Sequence, residues 1–376
     1  MIQLKCIRWL PQLTWDGFAV TGVRQEPSNG GKQRIGILRL GGLGDFVLFM
    51  PALKAILHDY PVDTYDRYLI TDRNGTSLVQ MIEDVDKITV FEINGSRFIH
   101  NQIYRAKVLR TIRKLNLDIL IDAALIRRIE GNDAIVRASG AKAIGFREQQ
   151  DQYCERRYGN YAYQRLVDDH RWSTHEAFRY FHLTGQSDPS TFNILPTIEL
   201  PCRPDTQNMF LIFPGAKFPE RRWPPTRFAE VARFTHRETG WIPIAVGAPS
   251  DSESIDAMID ASSDLPWKHA KGKTIEDLCN LIASAQMVIT NDSGPMHLAP
   301  ALQVPTIAVV PGAEFTAYPN YPVDHPYLHI VHQEDTTCFD CKWNCIKKMK
   351  KKASAPCLVS ISETEVCAMV APLIKY

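Results

Sequence analysis

The sequence predicts an α/β chain made of two doubly wound halves. Short apolar runs read as buried strands, and they alternate with longer stretches whose apolar residues recur at helical spacing. A Pro-rich passage, Leu195 to Asp205 (LPTIELPCRPD), interrupts the alternation, which then restarts. Strands alternating with helices favour a parallel sheet covered on both faces.

Bulk properties bound the function. A chain of 376 residues exceeds what one hydrophobic core usually supports, so two or three domains are expected. Hydrophobic residues make up 45% and charged residues 23%, ordinary for a globular protein. A formal net charge of +1 gives no global field for nucleic acid or an anionic membrane, so an anionic ligand must be held locally. No apolar run approaches a bilayer span, and MIQLKCIRWLPQLTWDGF lacks the core of a signal peptide. The expected location is the cytoplasm, with peripheral contact at the inner membrane as the variant of that reading.

Residues 1–33 read as an N-terminal extension, with a small hairpin as its expected form. It carries Trp9, Trp15 and Phe18 and ends in the breaker cluster Pro27-Ser28-Asn29-Gly30-Gly31. The aromatics are expected to pack on their own domain, with docking on a partner subunit as the alternative. Residues 34–195 form the first half. Arg34–Leu40 reads as a buried strand, followed by the tight loop Gly41-Gly42-Leu43-Gly44 and a helix from Asp45. Further strands are expected at Tyr68–Thr71, Lys87–Glu92, Asp118–Asp122 and Ala141–Phe146, with a helix at Asn101–Leu115. After the linker, residues 206–335 repeat the pattern. Strands are expected at Met209–Phe213, Trp241–Val246, Gln286–Thr290 and Pro305–Val310. Helices are expected at Pro225–Thr239, Asp251–Ala261, Thr274–Ala285 and Pro295–Leu302. Residues 336–376 form a Cys-rich segment and a C-terminal helix. Doubly wound sheets bind ligands beyond the carboxyl ends of their strands, and two facing halves would enclose a cleft.

Three segments carry chemistry. Thr290-Asn291-Asp292-Ser293-Gly294-Pro295-Met296-His297 links a strand to a helix. A helix start offers unpaired N–H groups and partial positive charge, which suits a pyrophosphate. Ser293 can add a hydroxyl donor, Gly294 admits close approach, and His297 lies in the first turn. A plain helix cap by Asp292 and Ser293 is the equal alternative. The second segment runs from Phe213-Pro214-Gly215-Ala216-Lys217 to Glu220-Arg221-Arg222-Trp223-Pro224. Its cations suit a diphosphate, and the alternative is an exposed basic loop. The third is Arg39-Leu40-Gly41-Gly42-Leu43-Gly44-Asp45, which lacks the spacing of a dinucleotide fingerprint and ends in a carboxylate. Asp45 is either a general base or a helix cap.

The chain has nine cysteines, four of them spaced Cys338-x2-Cys341-x3-Cys345-x11-Cys357. Four thiolates at short spacing suit a structural tetrahedral iron or zinc, and the lysines between them would favour thiolate. Four reduced cysteines without metal are the alternative.

Three segments, in order, resemble glycosyltransferase family 9, the heptosyltransferase family. They are RIGILRLGGLGDFVLFMPALKAI, FPGAKFPERRWPPTRFAEVA and TIEDLCNLIASAQMVITNDSGPMHLAPALQVPTIAVVPG. The resemblance implies a GT-B fold, two Rossmann-like domains about a cleft, and an ADP-heptose donor. It implies Asp45 as the catalytic base. It implies Asp292, Ser293, Gly294 and His297 as a nucleotide-sugar loop, with Ala216, Lys217 and Arg221 near the diphosphate. Where the family more often has Lys, this chain has Arg221. The turn Gly247-Ala248-Pro249-Ser250-Asp251-Ser252-Glu253 resembles the family's nucleoside-contacting turn, through either Asp251 or Glu253, with a helix cap as the alternative. The cysteine cluster is similar to that of the autotransporter heptosyltransferase branch, whose ion is iron and whose members form large rings. That similarity admits a protein acceptor and a homo-oligomer beside lipopolysaccharide core or another glycan. No catalytic divalent metal and no nucleic acid are expected. A nucleotide-sugar epimerase or hydrolase on the same fold, and a metal-organised scaffold without catalysis, are the competing readings.

Overall fold

A computed structural model describes residues 10–24, 31–82, 85, 87–147, 159–168, 174–184, 192–333, 337–347 and 353–374. Trp9 and the lysines at 348 and 350–352 lie outside these residues. The chain divides into two compact units. One comprises Met1–His170 with Ala177–Ile194, the other Arg171–Glu176 with Leu195–Tyr376.

The first unit holds strands β1 (Gln33–Arg39), β2 (Tyr65–Thr71), β3 (Ile88–Glu92), β4 (Ile119–Asp122), β5 (Lys142–Phe146) and β6 (Arg165–Val167). They form one six-stranded sheet in the order β3-β2-β1-β4-β5-β6, with every neighbouring pair parallel. The second unit holds β7 (Met209–Phe213), β8 (Ile242–Gly247), β9 (Lys268–Lys271), β10 (Met287–Asn291), β11 (Thr306–Val309) and β12 (Leu328–Val331). Its order is β12-β11-β10-β7-β8-β9, again parallel throughout. Both sheets therefore show the doubly wound order, with switch points between β1 and β4 and between β7 and β10.

The central strands are buried on both faces. Every residue of β7 (MFLIF) and β10 (MVITN) is buried, as a parallel sheet between helix layers requires. Three strands were not anticipated: β6, β9 and β12. Each lies at a sheet edge, and β9 reads KHAK with only Ala270 buried. An edge strand half in water need not form an apolar run. The C-terminal helix Glu363–Leu373 puts Val366 and Val370 into the same core as Phe210, Trp223 and Phe228. No helix among the described residues is long and apolar enough to cross a membrane.

The N-terminal extension is not a hairpin. Leu10–Val20 is an α-helix lying on the helix Gln102–Lys114. Asp16 selects this arrangement. Its two oxygens accept from Nε and Nη2 of Arg105, each at 2.6 Å, and both side chains are almost fully buried. Arg105 also stacks on Phe98 at 4.5 Å and donates to the Glu130 carbonyl at 2.7 Å. A hairpin would separate Asp16 from this partner. Trp15 and Phe18 do not pack inward as expected; they are 49% and 71% exposed.

Removing one partner of a buried ion pair strands the other charge. Asp16→Ala is therefore expected to lower the unfolding free energy of the first unit by about 3–5 kcal/mol. Denaturant titration reads this, and a loss below about 1 kcal/mol would show that Arg105 finds adequate acceptors elsewhere.

Candidate functional site

The strand order of the second unit brings distant segments together. β7 and β10 are neighbours, with Phe213 paired to Thr290. The loops that follow them leave the sheet side by side, at its switch point. Asn291, at the end of β10, ties them. It is wholly buried, its Nδ2 donates to the Pro214 carbonyl at 2.8 Å, and its Oδ1 accepts from the Trp223 N–H at 2.8 Å. Sequence reasoning gave Asn291 no role, because both partners are about seventy residues away in the chain.

The loop after β10 opens the helix Gly294–Ala301. Ser293 is its N-cap, but its side chain makes no capping hydrogen bond. The hydroxyl instead lies 3.4 Å from Thr290 Oγ1. Asp292 does not cap either; it turns inward and pairs with Arg221 at 3.0 Å. The simple cap reading of this motif therefore fails for both side chains. Pro295 sits in the first turn, where its missing N–H costs nothing.

Arg221 has more partners than its sequence suggests. Besides Asp292 it bonds Glu314 at 2.9 Å, and its guanidinium lies 5.1 Å from the Trp343 ring. Burial pulls its pKa down, but Asp292 and Glu314 outweigh this and hold it above the ordinary range. Burial raises the Asp292 pKa, and Arg221 opposes that shift. With two carboxylates already on it, Arg221 is an organiser of the loops rather than a spare cation. Lys217 is the exposed cation here, with its Nζ 5.4 Å from the Phe218 ring and no carboxylate partner among the described residues. Ala216 is buried, and its carbonyl accepts from Arg222 Nε at 2.8 Å.

His297 is buried in the first turn of the helix. Burial pushes its pKa down to about 3, with His175, His325 and Arg221 adding to the effect, so the ring is neutral. Its Nδ1 lies 3.0 Å from the Tyr321 hydroxyl. Burial keeps Tyr321 protonated, with Glu176 reinforcing it. A neutral ring can accept from the phenol at Nδ1 with its proton on Nε2, or donate to it from Nδ1; the first leaves an N–H at Nε2.

The loop after β8 completes the group. Asp251 Oδ2 accepts from the Ala248 N–H at 2.9 Å. A side chain at Gly215 would collide with Asp251, so Gly215 lets the β7 and β8 loops touch. Asp251 is thus a cap and a spacer. Glu253 stands exposed in the first turn of the helix Ser252–Asp260.

In the first unit Asp45 lies in the first turn of the helix Leu43–Asp59, directly after β1. Its Oδ2 accepts from the Gly42 N–H at 2.7 Å. A Cβ at Gly41 would lie 3.0 Å from that oxygen, so the glycine pair lets the carboxylate fold back. The helix-cap geometry is present, and the carboxylate is only half-buried.

Cys338, Cys341, Cys345 and Cys357 are all thiols and line one cavity with Trp343. Among the described residues no three metal-ligating side chains stand close enough to hold an ion as placed. The expected lowering of thiol pKa is not found at Cys341. Burial raises it and the other three cysteines add to the rise, outweighing the Trp343 backbone N–H. The turn is nonetheless sharply defined. Asp340, Lys342 and Trp343 are left-handed with φ of 53°, 54° and 62°, costly for residues with a Cβ. Asp340 and Lys342 donate to the Gly312 and Ala313 carbonyls, each at 2.6 Å.

Comparison with known proteins follows these features. A stretch of the chain is 37% identical over 101 residues to lipopolysaccharide heptosyltransferase 2 of Salmonella typhimurium. It covers 26% of this chain and 29% of that protein, so it spans less than a third of the relative's own length. The solved structure of E. coli ADP-heptose LPS heptosyltransferase II superposes with a TM-score of 0.66 at 17% identity, covering 91% of this chain and 98% of that one. The iron-containing dodecameric glycosyltransferase TibC of enterotoxigenic E. coli superposes at 0.54 and 12% identity, over 92% and 80%. The chain shares the GT-B fold of these structures. The sequence pattern of glycosyltransferase family 9 (heptosyltransferase) matches residues 106–339, well over half of the chain, and the chain belongs to that family.

Proposed function

We propose that this chain is an inverting glycosyltransferase that moves a sugar, heptose in the first instance, from an ADP-sugar to an acceptor hydroxyl. The observation that carries this reading is the meeting of the β7, β8 and β10 loops at one switch point, where Lys217 and a helix start without a side-chain cap face the same end of the sheet. Residues 206–335 bind the donor and residues 34–195 the acceptor. The name of the Salmonella typhimurium relative favours lipopolysaccharide as the acceptor, and we take its core as the first candidate; another glycan or a protein Ser/Thr fits the same chemistry.

Asp45 accepts the proton of the acceptor hydroxyl through the oxygen not bonded to Gly42. The acceptor oxygen then bonds the anomeric carbon as the bond from that carbon to the diphosphate oxygen breaks, which inverts the centre. Negative charge develops on the departing ADP. The N–H groups at Ser293 and Gly294, the Nε2 proton of His297 and the Lys217 ammonium stabilise it. Ala216 shapes the wall beside them. Arg221 holds Asp292 in place, and Glu253 contacts the nucleoside.

The four cysteines form the second element of the proposal. They line one cavity, and drawn closer together than they stand, the four thiolates would suit one structural iron or zinc that closes the turn carrying Trp343 against Arg221. The protein sits in the cytoplasm or against the inner face of the membrane, and forms a homo-oligomer.

Asp45→Asn is expected to cut kcat by about 10²- to 10⁴-fold while ADP binding stays as in the parent. Isothermal titration with ADP beside a transfer assay separates the two, and retained turnover would sink the base assignment. Tyr321→Phe frees the His297 tautomer; a roughly fivefold to tenfold loss of kcat is expected from one such hydrogen bond. Unchanged turnover would mean that the Nε2 proton has no part. Elemental analysis of protein purified without added metal is expected to find one iron or zinc per chain, lost in a Cys338→Ser, Cys341→Ser double variant. A metal-free parent of full thermal stability would remove the metal from the proposal.

A further inference from the structure

The helix Leu10–Val20 turns its polar side chains inward and apolar ones outward. Its inner side meets the helix Gln102–Lys114 through the Asp16 pair with Arg105, the Gln12 pair with Gln102 at 2.8 and 3.1 Å, and the bond from Arg110 Nε to the Ala19 carbonyl at 2.8 Å. Its outer side carries no charge. Asp16 is the sole ionisable residue of LPQLTWDGFAV, and it is buried. Leu10, Trp15 and Phe18 face outward, 56%, 49% and 71% exposed, beside Pro11, Thr14 and Gly17. A surface helix ordinarily presents charged and polar residues there, whereas the hydroxyl on this side, Thr14 Oγ1, is turned back onto the Leu10 carbonyl at 2.8 Å.

The neighbouring surface names the cover. On the helix Gln102–Lys114, Ile103, Lys107, Arg110 and Lys114 recur at i, i+4, i+7 and i+11, and all are exposed, Ile103 at 85%. The helix has no acidic residue. The two helices thus present aromatic and aliphatic side chains beside a row of cations, with their one carboxylate consumed inside by Arg105. A second copy meeting this face across a twofold axis would put two such cation rows into one interface, with no carboxylate on either helix left to pair them. A flat anionic surface with an apolar interior satisfies both halves: Trp and Phe seat at the headgroup boundary and the cations meet phosphates.

We propose that this two-helix face docks the protein on an anionic lipid surface. The inference rests on the membrane-face location proposed above and gives it a surface, and it uses none of the residues assigned to donor, base or metal.

The test is sedimentation of the full-length protein with vesicles of phosphatidylglycerol and phosphatidylcholine, against vesicles of phosphatidylcholine alone. Binding is expected to the former, weakening as salt rises. Trp15→Ser with Phe18→Ser is expected to lower the partition coefficient by about tenfold or more. Lys107→Glu with Lys114→Glu is expected to lower it by at least about 25-fold, at roughly fivefold per lost cation. All four side chains are at least partly in water, and circular dichroism checks that the variants fold. Failure of the parent to bind phosphatidylglycerol vesicles, equal binding to both vesicle types, or binding unchanged in a folded variant overturns the proposal. So does analytical ultracentrifugation showing a parent oligomer that the Trp15, Phe18 variant dissociates, because a second copy then covers the face.

Discussion

The second unit depends on how Trp223 is held. Its side chain is fully buried and packs edge-to-face on Phe228 at 4.9 Å. Its indole N–H donates to the Ile361 carbonyl at 3.0 Å, and its backbone N–H to Asn291 at 2.8 Å. One residue therefore joins the loop after β7, the end of β10 and the approach to the C-terminal helix. A buried polar group without a partner costs about 1–3 kcal/mol, so each bond is enforced as well as favourable. The Ala355 N–H on the Glu220 carbonyl, at 3.0 Å, adds a second tie between the same loop and the C-terminal segment. The residues beyond β12 are structural members of this unit through these bonds.

Electrostatics at the switch point follow from that frame. Asp292 sits at the start of a helix, yet it is buried and would be costly as a lone charge. Arg221 relieves the cost through Nη1, and Glu314 takes its Nη2. The three groups sum to one negative charge, which leaves Lys217 and the helix start as the positive features of this loop cluster. Trp343 over the guanidinium then gives the cysteine-bearing turn a physical link to this cluster. That link runs through packing on a planar cation, which Lys would not offer in the same way.

The inner architecture was legible in the sequence because the middles of central parallel strands lie between helix layers. IGIL, MFLIF and MVI are apolar for that reason, with buried polar residues kept to the strand ends, and the Gly and Pro punctuation between them marks the loops. Of the edge strands missed, β9 (KHAK) lost its apolar signature to water on one side, while β6 and β12 are only 3 and 4 residues long, too short to stand out as runs. The site was legible as segments and illegible as a set of partners. Arg221 read as a free cation because Glu314 lies 93 positions away and its approach is a tertiary event. Tyr321, whose hydroxyl meets His297 Nδ1 at 3.0 Å, has no local motif at all. Asp16 misled in a related way: a charged residue inside an apolar helix gives no hint that Arg105 waits 89 positions on.

Asp45 shows that the two readings of a carboxylate at a helix start need not exclude each other. One oxygen accepts from the Gly42 N–H and satisfies a donor the helix would otherwise leave unpaired. The other makes no hydrogen bond to the described residues. The cap fixes the carboxyl's rotation and so fixes where the second oxygen points. A free side chain would have to lose that rotational freedom on each encounter with a hydroxyl. Gly41 and Gly42 are the price of the geometry, since a side chain at either would press on Oδ2 at 3.0 and 3.1 Å. The glycines that defeat a dinucleotide fingerprint by their spacing thus serve another end, holding a half-buried carboxylate folded back at the mouth of its own sheet.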